Sequence, residues 1–203
     1  MATDASERLR VEVYYDFASS LCYVGHRVME RMRPLLDELG IALDWKPLDL
    51  TELSHWKRGD EMAEPARANT QRVASELDVP LRIPSRWMDS RGAMAVALRL
   101  EGSDREPAWR ERVWSAVFEE GRDLDEADAL ERLARDLDLD LAPLLDHRAV
   151  EAVEVATLLA AEADVLGVPT FMLGAWPVGG IQDERTMRSV FTRFARKKRE
   201  ASI

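Results

Sequence analysis

The opening of the chain constrains its fold more than any other stretch. Arg10-Val11-Glu12-Val13-Tyr14-Tyr15-Asp16 alternates apolar and polar residues and is rich in β-branched and aromatic types, so it predicts a strand. Phe17 to Ser20 predicts a turn. Apolar residues then recur at helical spacing (Leu21, Val24, Val28, Met32, Leu35, Leu36, Leu39), which predicts one helix to Leu39 with Gly40 as its stop. Ile41-Ala42-Leu43-Asp44-Trp45-Lys46-Pro47-Leu48 predicts a second strand, ended by the proline. A helix of that length can cross over the sheet and return, so the two strands are expected to pair in parallel.

Between Glu61 and Ala163 the pattern is helical almost throughout. Helices are expected over 65–77, 92–100, 106–120, 126–137 and 143–163, separated by Pro80, Pro84, Gly102 and Gly121. The run Asp125-Glu126-Ala127-Asp128 reads as an acidic helix start, favourable at the positive end of the dipole. Strand character returns at 168–174, a short hairpin follows to Gly180, and a last helix is expected over 183–198. No repeat interrupts the order βαβ, helices, ββα. Residues 1–55 and 164–203 would form one unit, and 56–163 a helical insertion.

A net charge of −10 disfavours nucleic acid and anionic membranes as partners. The basic cluster of Arg193, Arg196, Lys197, Lys198 and Arg199 is where a helix C-terminus attracts cations. No apolar run approaches the length of a membrane span. The polar segment Met1 to Arg10 lacks the features of a signal peptide, so a reducing, cytoplasmic setting is expected. Cys22 is the single cysteine, which excludes an internal disulfide and a cysteine-built zinc site. His26, His55 and His147 have no metal-ligand spacing, and no metal is expected. Of the six tryptophans, Trp56, Trp87, Trp109 and Trp114 fall in the helical stretch; most are expected as core or interface residues, and some to line an apolar pocket between that stretch and the rest of the chain. The expected partners are a small-molecule substrate or thiol, with a homodimer as a further expectation.

Two local signatures, at the two ends of this order, carry a resemblance. Asp16-Phe17-Ala18-Ser19-Ser20-Leu21-Cys22-Tyr23-Val24-Gly25 resembles the Asp-x-x-Cys-Pro-x-Cys-Tyr-x-Gly stretch of cytoplasmic DsbA-like oxidoreductases. It is also similar to the Asp-x-x-Ser-Pro-x-Ser stretch of kappa-class glutathione transferases and 2-hydroxychromene-2-carboxylate isomerases. Gly167-Val168-Pro169-Thr170-Phe171 resembles the cis-proline loop of these families. The resemblance covers most of the chain. It implies an α/β thioredoxin fold with a large all-helical insertion, and an enzyme that handles thiols.

The departures from the pattern bear on the chemistry. Ser19 stands at the first cysteine position, Ser20 at the proline, and only Cys22 keeps a thiol. A serine cannot form the mixed disulfide of a dithiol cycle. By resemblance to the serine-bearing families, Ser19 would hydrogen-bond the thiolate of bound glutathione at the exposed N-terminus of the first helix, facing Val168-Pro169. It is equally read as an N-cap. Cys22 is either a reactive thiol, promoted by His26 one helical turn on, or a small buried apolar residue. The resemblance also implies glutathione contacts at Ser20, Val168 and Pro169, and at Gln182 and Asp183, where Asp183 would meet the ligand's ammonium. Asp183 is read no less well as the N-cap of the last helix. Three functions follow: a glutathione-dependent isomerase or transferase, a redox protein using Cys22 as a single thiol, or a binding module without catalysis.

Overall fold

β1 (Leu9–Tyr15) lies inside the sheet, with both edges paired. In the computed structural model, which describes residues 8–201, it runs parallel to β2 (Ile41–Pro47), from Leu9 opposite Ile41 to Tyr15 opposite Pro47. On its other side it runs antiparallel to β3 (Thr170–Leu173), which pairs antiparallel with β4 (Trp176–Gly179). The order is β2-β1-β3-β4. The period-two pattern has its expected consequence: Val11, Val13 and Tyr15 are fully buried while Arg10 faces solvent. Of the polar segment Met1 to Arg10, residues 1–7 lie outside the described residues.

The helix expected over 21–39 is two helices, α1 (Ser20–Arg31) and α2 (Arg33–Glu38), joined at Met32. Pro34 causes the break. It brings no N–H to the ladder, and its ring would collide with the carbonyl four residues back in a continuous helix. Placed in the first turn of α2, the same proline is favourable. Gly40, at φ 60°, then turns the chain into β2.

The helical block comprises α3 (Leu50–Leu53), α4 (Glu64–Glu76), α5 (Arg91–Arg99), α6 (Arg105–Trp114), α7 (Ala129–Asp136) and α8 (His147–Glu162). The helix of α6 continues through 115–120 as a wider π-helical stretch that ends at Gly121. Two starts are later than the sequence predicts. Asp123 and Asp125 accept backbone N–H groups of Asp125 and Asp89, so this acidic run builds turns and α7 begins only at Ala129. α8 begins at His147 because the Asp146 carboxylate caps it, accepting the Ala149 N–H at 2.8 Å. Residues 77–90 are not helical, and Arg86 makes an isolated bridge to Glu61. α9 (Glu184–Glu200) closes the described chain and buries Met187, Phe191, Phe194 and Ala195.

One continuous apolar core joins the sheet to the helical block. Tyr15 and Phe17 at the end of β1 pack edge-on against each other; Phe17 meets Trp114 of α6 edge-on and Tyr15 meets it tilted, and Trp45 of β2 joins them. Burying each large apolar side chain contributes about 1.5–3 kcal/mol relative to leaving it in water. The end of β1, where α1 begins, is therefore among the most firmly held points of the molecule.

Candidate active site at the start of the first helix

Asp16 directly follows β1 and is 1% exposed. Its Oδ1 accepts the Ala18 N–H at 2.8 Å and the Ser90 hydroxyl at 2.6 Å, and its Oδ2 accepts the Leu50 N–H at 2.8 Å. One carboxylate thus ties together the β1–α1 turn, the segment after β2 and the approach to α5. Burial pushes its pKa up to about 6, against the lowering effect of the three donors.

The turn held by Asp16 delivers Ser19 as the N-cap of α1, with φ −84° and ψ 110°. Its backbone carbonyl accepts the Cys22 N–H at 3.0 Å, and its hydroxyl oxygen makes a longer contact to the same N–H at 3.4 Å. The N–H groups of Ser20 and Leu21, next in the first turn, have no backbone acceptor among the described residues. Ser19 is only 5% exposed, which corrects the expectation of an exposed side chain. Ala18 beside it packs with Leu50, Met62 and Trp87, so the helical block closes over the turn.

The closure leaves a cleft of about 760 Å³. Ser19, Ser20 and Leu21 line one side, Gly167 and Val168 another, and residues of α3, α4 and the segments beside them the rest. The Val168–Pro169 peptide is cis. Pro169 packs against α1: its Cγ lies 3.5 Å from where a side chain on Gly25 would begin, and Ile181 lies 3.9 Å from the same point. The Pro169 carbonyl accepts the Gly180 N–H at 2.7 Å, while Val168 makes no backbone hydrogen bond among the described residues. The two signatures read from the sequence therefore meet in space.

Other candidates lie elsewhere. Cys22 is fully buried, and burial pushes its thiol up to about 12. His26 does not activate it: its Nε2 is 2.7 Å from Glu111 Oε2 on α6. Burial lowers the His26 pKa, and the bonds from His26 and Arg27 bring Glu111 down to about 2, so a neutral imidazole donates to a carboxylate. Gln182 and Asp183 are exposed at the start of α9, next to Ile181 but outside the cleft lining. Asp183 caps α9 through Thr186, whose N–H and hydroxyl it accepts at 3.0 and 2.7 Å. These bonds lower its pKa.

Two residues that hold the site, Asp16 and Ser90, are not candidates from the sequence. Asp16 appeared only as a motif letter, although an acid directly after a buried strand is a signal for a satisfied internal carboxylate. Ser90 carries no local signal, because the fold alone brings it to the turn before α1. Trp56 and Trp87 line the cleft, as expected of some tryptophans of the helical stretch. The two indoles stack with centroids 4.5 Å apart and planes 17° from parallel.

A serine-capped first helix and a cis proline sharing one cleft, on a mixed sheet with a helical block set between its halves, define a thioredoxin-fold protein with a helical insertion. The chain belongs to the DSBA-like thioredoxin domain family, whose model matches residues 10–191. Among curated proteins it is similar to the "Uncharacterized protein YwbO" of Bacillus subtilis (strain 168), with 24% identity over 94% of this chain and 99% of that one. Among solved structures it is similar to a 2-hydroxychromene-2-carboxylate isomerase (TM-score 0.73, 21% identity, 96% and 98% of the two chains). It is also similar to the cytosolic disulfide reductase DsbM from Pseudomonas aeruginosa with GSH (TM-score 0.64, 19% identity, 96% and 100%). At these identities the solved structures share the fold. Among the described residues no helix is long and apolar enough to cross a membrane.

Proposed function

We propose that this chain binds glutathione against the start of α1 and works in a reducing, cytoplasmic setting as a glutathione-dependent isomerase or transferase. The observation that carries the reading is the placement of Ser19. Its hydroxyl sits on the first turn of a 12-residue helix, on the wall of a cleft shared with Val168. A thiolate placed there receives the Ser19 O–H, the free N–H groups of the first turn and the positive end of the dipole, all of which favour the charged form. The thiol gives its proton to solvent, and the sulfur lone pair is left to attack an electrophilic carbon of a second molecule in the cleft. Val168 offers a backbone N–H and carbonyl for the peptide part of glutathione, in the manner of an added strand. Gln182 and Asp183 lie outside the cleft lining at the start of α9; in this reading the γ-glutamyl end extends along α1 to them, and the Asp183 carboxylate takes the ammonium.

The presence of an isomerase and a glutathione-bound reductase among proteins of this fold supports the reading. The burial of Cys22 weighs against a redox role for that thiol. Calorimetry with reduced glutathione tests the proposal. Saturable binding with a dissociation constant between about micromolar and millimolar is expected, since the contacts are few and polar. Absence of binding at millimolar glutathione would overturn it.

A further inference from the structure

α9 holds seven of the chain's 28 cations in 17 residues, with only two carboxylates, so the net charge of −10 is unevenly spread. Arg185, Arg188, Arg196 and Arg199, with Arg193 beside them, recur at helical spacing and share one face, which runs for about 21 Å. All five are exposed, while Met187, Phe191 and Phe194 are buried on the other side. The helix dipole accounts for Lys197, Lys198 and Arg199 in the last turn. It does not account for Arg185 in the first turn, where a cation meets the positive end. Ion pairs do not account for the stripe either. Elsewhere Arg27, Arg58, Arg112 and Arg132 each meet two or more carboxylates. The two carboxylates of α9 pair with Arg31 and Arg196, and Arg185, Arg188 and Arg193 have no ion pair among the described residues.

The β3–β4 hairpin adds an apolar tip on the same side of the sheet. Gly174, Ala175, Trp176 and Pro177 are exposed, and Trp176, at 77%, is the one exposed tryptophan of the six. A side chain on Gly174 would begin 3.5 Å from Lys198 Nζ, so the tip abuts the C-terminal end of α9. Trp176 lies opposite Leu173, two residues on from Phe171, whose ring meets Phe191 of α9. Residues two apart on a strand share a face, and so do directly opposed residues, which puts Trp176 on the α9 side.

We propose that α9 and this tip dock the protein on an anionic lipid surface, with the arginines against headgroup phosphates and Trp176 in the headgroup layer. The inference is separate from the glutathione reading and concerns another face of the molecule. A guanidinium meets two phosphate oxygens at once, and an indole favours the boundary between water and acyl chains. Screening confines the field of exposed charges to about 8 Å at physiological ionic strength. A surface in contact with α9 therefore meets its cations and not the net charge of the chain. Nucleic acid fits less well. Single strands are held in grooves with successive stacking aromatics. Here one indole projects at a hairpin tip between Ala175 and Pro177, small apolar groups that suit a lipid boundary and offer no face to a base.

The test uses the whole chain without glutathione. The probes are vesicles of phosphatidylcholine alone, vesicles of equal parts phosphatidylcholine and phosphatidylglycerol, and a single-stranded oligothymidylate. The protein is expected to sediment with the anionic vesicles only, less so as salt rises, and its tryptophan emission to move to shorter wavelength on them. Arg188→Gln with Arg193→Gln removes two unpaired cations and should weaken binding about thirtyfold. Arg86→Gln with Arg132→Gln removes the same charge from the helical block and should leave binding unchanged. Trp176→Ser should abolish the emission shift and leave part of the binding. These side chains are exposed or part-exposed, and circular dichroism checks that each variant folds; should one fail to fold, the wild-type emission shift decides. Equal binding to both kinds of vesicle, an unmoved emission, two α9 substitutions no more harmful than the two in the helical block, or tighter binding of oligothymidylate than of anionic vesicles would each overturn the proposal.

Discussion

Replacing Asp16 by asparagine tests how the site is held. The wild-type carboxylate accepts from Ala18, Leu50 and Ser90 with both oxygens. Asparagine keeps the shape but turns one acceptor into a donor, which then faces a donor. The loss at neutral pH should be about 1–3 kcal/mol, the cost of one buried group left unpaired. The pH dependence is the sharper signature. The folded-state pKa is raised to about 6 from an ordinary value of 3.8. The folded protein thus holds its proton to higher pH than the unfolded chain. The associated stability is complete below about pH 4 and lost as pH rises through about 6. A shift of about two units corresponds to about 3 kcal/mol. Other carboxylates titrate in the same range, so the quantity to measure is the wild-type stability minus that of Asp16→Asn, by urea unfolding with tryptophan fluorescence from pH 4 to 7.5. That difference should fall with rising pH. A difference that is flat or rises would show that Asp16 is not held in a dry, desolvated position, and would undo the account of how the turn before Ser19 is built.

Ser19→Ala should raise the pKa of the bound glutathione thiol by about one to two units, the worth of one hydrogen bond to a charged group, while weakening binding less. Ultraviolet titration of the thiolate in the complex checks this. It should also destabilise the free protein by about 0.5–1 kcal/mol through the lost cap. Cys22 should resist an aromatic disulfide reagent in the native protein and react once the chain is unfolded in urea; fast labelling of folded protein would contradict its burial. Asp183→Ala should weaken glutathione binding in calorimetry without moving the thiol pKa, and should lower the melting temperature slightly. An unchanged affinity would remove Asp183 from the site and leave it as a helix cap.

The residues that sequence alone placed well are those whose signals are local. Val11, Val13 and Tyr15 alternate, and a strand with that alternation buries one face whatever surrounds it. Gly40 after Leu39 and Asp183 before α9 mark helix ends because the backbone needs a left-handed residue in one case and an acceptor in the other. Pro34 was legible too, but the longer apolar periodicity around it read as continuous, since periodicity does not register a missing N–H. The acidic run before α7 reads as a helix start by charge and folds as turns, because its carboxylates bond to nearby backbone.

The chemistry divides in the same way. Sequence by itself determined that there is one thiol and a serine in front of it, and so that a dithiol cycle within the chain is impossible, because this depends only on which atoms are present. The meeting of Ser19 and Val168, some 150 residues apart in the chain, was expected only through a resemblance carried by motif and order. Tertiary structure alone decided that Cys22 is sealed in the core and that His26 turns to Glu111. It also decided that Asp16 joins three segments and that Trp56 and Trp87 form a wall beside α1. Burial, pKa and unpaired donors depend on which distant groups surround an atom, and no pattern of neighbours along the chain encodes that.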